Sequence, residues 1–114
     1  MTKPSASWKI FEGKICRLFR GKRRGADYSD GQFGKNDCVN TPGWSIEIKY
    51  LARPSWGVIL ENSKNAVARA KTGEIPIGIV RKKGEGSVME NTLVTMPLKD
   101  FLEWFVNTES DNSS

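Results

Sequence analysis

Asp37, Glu47 and Lys49 carry the chemistry most easily read from this chain. They lie in the segment Asp37-Cys38-Val39-Asn40-Thr41-Pro42-Gly43-Trp44-Ser45-Ile46-Glu47-Ile48-Lys49. The spacing predicts a strand, a tight Pro-Gly turn and a second strand. A hairpin folded symmetrically about Pro42-Gly43 sets position 37 opposite position 48 and brings Asp37 beside Glu47. Side chains alternate along a strand, so Glu47 and Lys49 share one face while Ile46 and Ile48 share the other. Two carboxylates and a lysine then meet on one patch. Such a patch can hold a hard divalent cation and position a water beside a phosphate.

Glu-x-Lys alone is a common surface pattern, so its weight depends on the elements around it. Trp8, Phe11, Ile15, Leu18 and Phe19 recur at helical spacing, which predicts an amphipathic helix over 6–20. It carries an acid, Glu12, next to its core residue Phe11. Gly21 to Lys35 reads as a mobile basic loop with several turn signals. The hairpin follows and ends at Arg53-Pro54. Pro54 suits the first turn of a second helix, with the apolar stripe Trp56, Ile59, Leu60, Val67 and Ala70 and a cap at Gly73. Ile75 to Val80 is a short apolar run suited to a buried strand, followed by a charged turn over 81–86. Leu93 to Met96 reads as another strand. Pro97 opens a last helix with the apolar face Leu98, Phe101, Leu102 and Phe105. The order is α-β-β-α-β-β-α, an α/β chain with a mixed sheet and helices packed on it. Residues 1–106 form one domain, and the polar tail 107–114 is expected to be disordered.

Composition narrows the chemistry. There is no histidine, which removes histidine bases and the usual Cys/His zinc sites. Cys16 and Cys38 stand far apart in sequence with no secretory signal, so free buried thiols are expected rather than a disulfide. Catalysis must then rest on carboxylates, lysine or a bound metal. No apolar run reaches membrane-spanning length, and a cytoplasmic protein is expected. The formal charge is +5, and with Glu109 and Asp111 in the tail the body before it carries +7. That favours an anionic partner, of which nucleic acid is the usual one. Arg17, Arg20, Lys22, Arg23 and Arg24 run between Glu12 and Asp37 and are candidates to grip DNA phosphates. Arg53, Arg81, Lys82 and Lys83 are further ones. Asp27, Asp30 and Ser29 fit either turn roles or, for the acids, accessory metal ligation and, for the serine, phosphate contact. Trp44, Trp56 and Trp104 suit a core or interface, with base stacking as the alternative.

These parts together resemble the PD-(D/E)XK nuclease superfamily, above all the small Holliday junction resolvases of archaea and phages. The resemblance runs from Trp8 to Phe105. It rests on the helix with Glu12, the basic loop Gly21-Lys22-Arg23-Arg24-Gly25, Asp37 on the first strand and Glu47-Ile48-Lys49 on the second. Asn36 stands where many members have proline before the acid. The resemblance implies a restriction-endonuclease-like fold and cleavage of DNA four-way junctions with magnesium, for which manganese would substitute. Asp37, Glu47 and the Ile48 carbonyl would bind the metal, Glu12 would complete its shell, and Lys49 would act on the attacking water. A junction has near two-fold symmetry, so a homodimer is expected, built on the helix after Pro54 or on the terminal helix. Flaps, forks or nicked duplex are alternative substrates, and a non-catalytic nucleic-acid binder is the rival from another class.

Overall fold

The computed structural model describes residues 5–24, 37–84 and 86–107. The chain is a mixed α/β protein whose three-stranded sheet lies between helices. Helix α1 (Ser5–Leu18) leads into two short strands, β1 (Lys22–Arg23) and β2 (Cys38–Val39). Strand β3 (Trp44–Leu51), helix α2 (Trp56–Arg69) and strand β4 (Ile75–Lys82) follow. A single turn of helix, α3 (Val88–Asn91), precedes strand β5 (Thr92–Thr95) and helix α4 (Leu98–Phe105). The main sheet has the order β3-β4-β5, with β3 parallel to β4 and β5 antiparallel to it.

Two departures from the expected order arise near β2. Lys22–Arg23, expected within a mobile loop, pairs antiparallel with β2 as a separate two-stranded sheet. The turn that allows this is a Schellman cap on α1. Gly21 N–H donates to the Cys16 carbonyl at 2.8 Å and Arg20 N–H to the Arg17 carbonyl at 3.0 Å, with Arg20 left-handed at φ 73°. The expected continuous ladder between the hairpin arms is replaced by a looser approach. Its turn is as anticipated: Trp44 N–H donates to the Thr41 carbonyl at 3.1 Å across Pro42-Gly43, and Gly43 takes φ 85°. Proline followed by a residue at positive φ is the signature of a type II turn.

Each face of the main sheet meets a different helix. Ile46, Ile48, Ile77 and Ile79 pack against Phe11, Ile15 and Cys16 of α1 to form the apolar core. Phe11 also stacks on Tyr50 at 5.0 Å between ring centroids. The opposite face is polar. There α2 buries Asn62, Ser63 and Ala66, not the apolar stripe read from the sequence, and Trp56 stands exposed. Small residues let the helix come close: a Cβ on Gly78 would lie 2.9 Å from Asn62 Nδ2 and 3.1 Å from Ser63 Cα. Ser45 Oγ donates to the Ala66 carbonyl at 2.7 Å, and Asn62 Nδ2 to the Glu47 carbonyl at 3.3 Å. Buried hydrogen bonds thus replace hydrophobic contact at this interface. The helix is capped at its start by Ser55, which accepts from Val58 N–H, and ends at Arg69. Gly73 lies beyond it at φ 87°, in the turn closed by Glu74 N–H on the Lys71 carbonyl, so it is not the cap.

The cysteines overturn the expectation of free thiols. Cys16 and Cys38 form a disulfide, with their Cα atoms 5.4 Å apart. Packing of α1 over β2 brings them together, a proximity that 22 residues of separation hid. Both are buried, at 0% and 4% exposure, so the bond belongs to the core. Among the described residues no helix is long and apolar enough to cross a membrane.

Candidate active site

β3 ends the main sheet on one side, so its outer edge must be satisfied by something other than a strand. Asp37 does this. Its N–H donates to the Ile46 carbonyl at 3.2 Å, and its Oδ2 accepts from Ile48 N–H at 2.6 Å. The carboxylate therefore sits against β3 beside Glu47, two residues off the symmetric register but in the expected neighbourhood. Strand alternation sends Ile46 and Ile48 into the α1 core and turns Ser45 and Glu47 towards α2. Glu12 reaches the same edge from α1. A cavity of about 370 Å³ results, lined by Glu12, Asp37, Glu47, Lys49, Asn65 and Arg69 among others, with Trp8 at its side. All four residues expected to act in catalysis therefore border one space.

The carboxylates are held in unequal ways. Glu12 is buried, and its Oε1 accepts from Arg23 Nε at 3.0 Å. Arg23 in turn lies over the Trp8 ring at 5.1 Å. Glu47 is only 5% exposed, and its Oε1 accepts from Arg69 Nη1 at 2.8 Å. Glu47 Oε2 is buried with no hydrogen-bond partner among the described residues. Burial, and then the charge on Asp37, pushes both Glu12 and Glu47 up to about 7, against the pull of Arg23 and Arg69 respectively. Burial raises Asp37 too, opposed by the Ile48 N–H and then by Lys49. At both glutamates the cost of burial outweighs the neighbouring cations, Arg23 and Lys49 at Glu12 and Arg69 and Lys49 at Glu47.

Among the described residues no three His, Cys, Asp or Glu side chains stand together so as to hold a metal ion, so Glu12, Asp37 and Glu47 border one cavity without forming a three-carboxylate centre. Magnesium does not require one, because it keeps several waters and binds through one or two carboxylates. The unpartnered oxygen of Glu47 and the mutual repulsion with Asp37 fit such a hydrated cation.

The expected phosphate-binding residues divide. Arg23 joins the site through Glu12 and is partly occupied by it. Arg17, Arg20, Lys22, Arg53 and Lys82 are exposed, Arg24 is half-buried, and none of them lines the cavity. Arg81 is a correction. It is 5% exposed, and its guanidinium donates to the carbonyls of Ser87, Gly84 and Gly86. Its donors hold the β4–α3 turn and are not presented to a phosphate. Lys83 lies over the Tyr50 ring at 5.7 Å. Ser29, Asp27, Asp30 and Gly25 lie outside the described residues, as do 108–114 of the tail. Arg69 and Asn65 were missed from the sequence. The hint was available: both stand on α2 at helical spacing from Asn62, on the side that meets β3.

No family model matches the chain, and neither does any curated protein or solved structure.

Proposed function

We propose that the protein is a magnesium-dependent, structure-selective DNA endonuclease with a restriction-endonuclease-like fold, acting on four-way junctions. One observation carries the reading: acids from three separate elements share an open cavity with a lysine, at the edge of a sheet in a basic protein. Burying acids this way costs stability, and a phosphodiester-cleaving site gives that cost a use. The choice of the four-way junction comes from the sequence resemblance.

Asp37 and Glu47 would hold the ion, with the Ile48 carbonyl beside them and Glu12 joining directly or through water. When bound, the ion would polarise the scissile phosphate and lower the pKa of an attacking water. Lys49, exposed at the cavity, would orient that water and stabilise charge growing on the phosphate oxygens. The hydrogen bond from Ile48 N–H fixes the Asp37 carboxylate, so no reorganisation of that acid is needed as DNA arrives. Arg17, Arg20, Lys22 and Arg24 would follow the DNA backbone outside the cavity.

Paired cuts in a junction call for two copies. The far end of the molecule offers a surface for them. Val94, Leu98, Phe101 and Phe105 are exposed and line an apolar groove between β5 and α4. A stable interface buries roughly 800 Å² per partner, and these side chains would form the apolar centre of one. A second copy meeting the same face would form a closed two-fold dimer.

The test is cleavage of four-way junction, flap, fork and linear duplex DNA in magnesium, manganese and EDTA, beside an Asp37→Asn variant. Paired symmetric cuts in the junction are expected, with loss of at least about a hundredfold in the variant. Equal cutting of linear duplex would remove the junction preference. Tight junction binding without cleavage in either metal would favour the non-catalytic binder.

A further inference from the structure

Glu47 presents its two oxygens differently. Oε1 is bonded to Arg69 Nη1, while Oε2 is buried and, among the described residues, unpartnered. A permanent buried ion pair is stable when its remaining lone pairs are also satisfied, and this one leaves an oxygen over. Arg69 differs from its partner in exposure. It stands in the last turn of α2, and its side chain is 40% exposed against 7% for Glu47. It reaches into the cavity from the rim, and a cation there is favoured by the helix C-terminus with or without Glu47.

Building on the nuclease reading, we propose that Arg69 is a placeholder cation: it occupies Glu47 in the metal-free protein, yields it to the entering divalent ion and then contacts the DNA phosphate. The exchange leaves the site with a net positive charge, which a DNA phosphate would neutralise. Among the described residues, Glu12, Asp37 and Glu47 are matched by Lys49 and Arg69 at the cavity and by Arg23 behind Glu12, so with the acids ionised these side chains sum to near neutrality. A divalent ion adds two positive charges and releases the guanidinium. The released group has the planar fork that matches a phosphate. Metal and DNA then assist one another's binding, and by linkage the assistance is equal in both directions. Arg69 thus adds to the site both a brake on premature metal binding and a contact to the substrate.

The test uses a Lys49→Ala background to suppress turnover. Magnesium binding to the DNA-free protein is measured by calorimetry, and four-way junction affinity by fluorescence anisotropy in magnesium and in EDTA. Arg69→Ala is expected to tighten magnesium binding roughly threefold to tenfold and to weaken DNA binding in magnesium by a similar factor. Its DNA affinity in EDTA should change much less. Arg69→Lys keeps the charge, so it should retain the magnesium affinity of the parent while losing part of the DNA gain. Thermal melts of both variants establish that they fold. Arg69→Ala that binds magnesium equally or more weakly overturns the exchange, because Arg69 would then merely hold Glu47 in place. An equal loss of DNA affinity in EDTA and in magnesium also overturns it. If the parent binds magnesium and the wild-type protein cleaves DNA, either result removes the exchange and leaves the nuclease reading standing. A parent that binds no magnesium removes both.

Discussion

The two edges of the main sheet violate ordinary burial in opposite directions. At the β3 edge, Glu12 and Glu47 are buried and pushed towards neutrality. At the β5 edge, apolar side chains of β5 and α4 lie open, with Leu98 71% exposed and no residue of α4 buried. Each arrangement costs the isolated chain stability. Each cost would be lifted by a different kind of contact: positive charge at the first edge, apolar surface at the second. The contrast teaches that buried charge and exposed hydrophobe are both informative, because neither is explained by folding alone. The face between the edges that meets α1 follows the usual rule, with Ile46, Ile48, Ile77 and Ile79 inside.

Three measurements bear on this contrast. The largest effect concerns what holds the acid edge together. Replacing Cys16 and Cys38 by serine should cost about 3 kcal/mol in urea unfolding, as loosening a loop of this length does. It should also reduce cleavage, since Glu12 lies one turn before Cys16 and Asp37 immediately before Cys38, while self-association through the other edge persists. Equal stability of the serine variant would mean that packing alone positions the acids.

Next in size is the response to pH. Glu12 and Glu47 have folded values of about 7 against an ordinary value of 4.5. Their favourable contribution to folding is therefore complete below pH 4.5 and is lost as the pH climbs through 7. The loss should be on the order of 2 kcal/mol, because each pKa unit is worth about 1.4 kcal/mol and neighbouring side chains can relax. Glu47→Gln should flatten the curve, and magnesium should restore stability at pH 8 in the wild type. Stability that rises steadily between pH 5 and 8, after allowing for the rest of the chain, would contradict the acid burial described.

The smallest effect belongs to the apolar edge. Leu98→Glu with Phe101→Glu should weaken self-association at least about tenfold in sedimentation, roughly 1.4 kcal/mol, without lowering the thermal stability of the single chain. A wild-type protein that sediments as a monomer at high concentration would show that this edge awaits a different partner.

Much of the fold was legible because local signals agreed. The Pro42-Gly43 turn, the helical stripe running from Trp8 to Phe19 and the apolar run at Ile77 and Ile79 each mark an element without help from distant contacts, although Leu18 of that stripe stands exposed. What was not legible depended on packing across the chain. Cys16 and Cys38 carry no mark of their pairing. Arg81 reads as a surface cation, yet burial at the end of β4 and three carbonyls within reach make it a turn-holding residue. The stripe on α2 misled for a related reason: Gly78 admits the helix so closely that Asn62, Ser63 and Ala66 are the residues it buries, while Trp56 stands exposed. At the site, Asp37, Glu47 and Lys49 could be gathered from alternation and one turn. Arg69 required knowing which side of α2 meets Glu47.

The disulfide has a topological consequence. Joining Cys16 to Cys38 turns the intervening backbone into a covalent ring, closed around the basic run Arg17 to Arg24. A protease that recognises arginine or lysine would find several of its target bonds on this ring. A single nick there opens the ring without separating the molecule, so the two pieces should migrate as one band on a gel until a reductant is added. Such a nicked protein would still carry Glu12 on one fragment and Asp37 on the other, tied together beside the same strand.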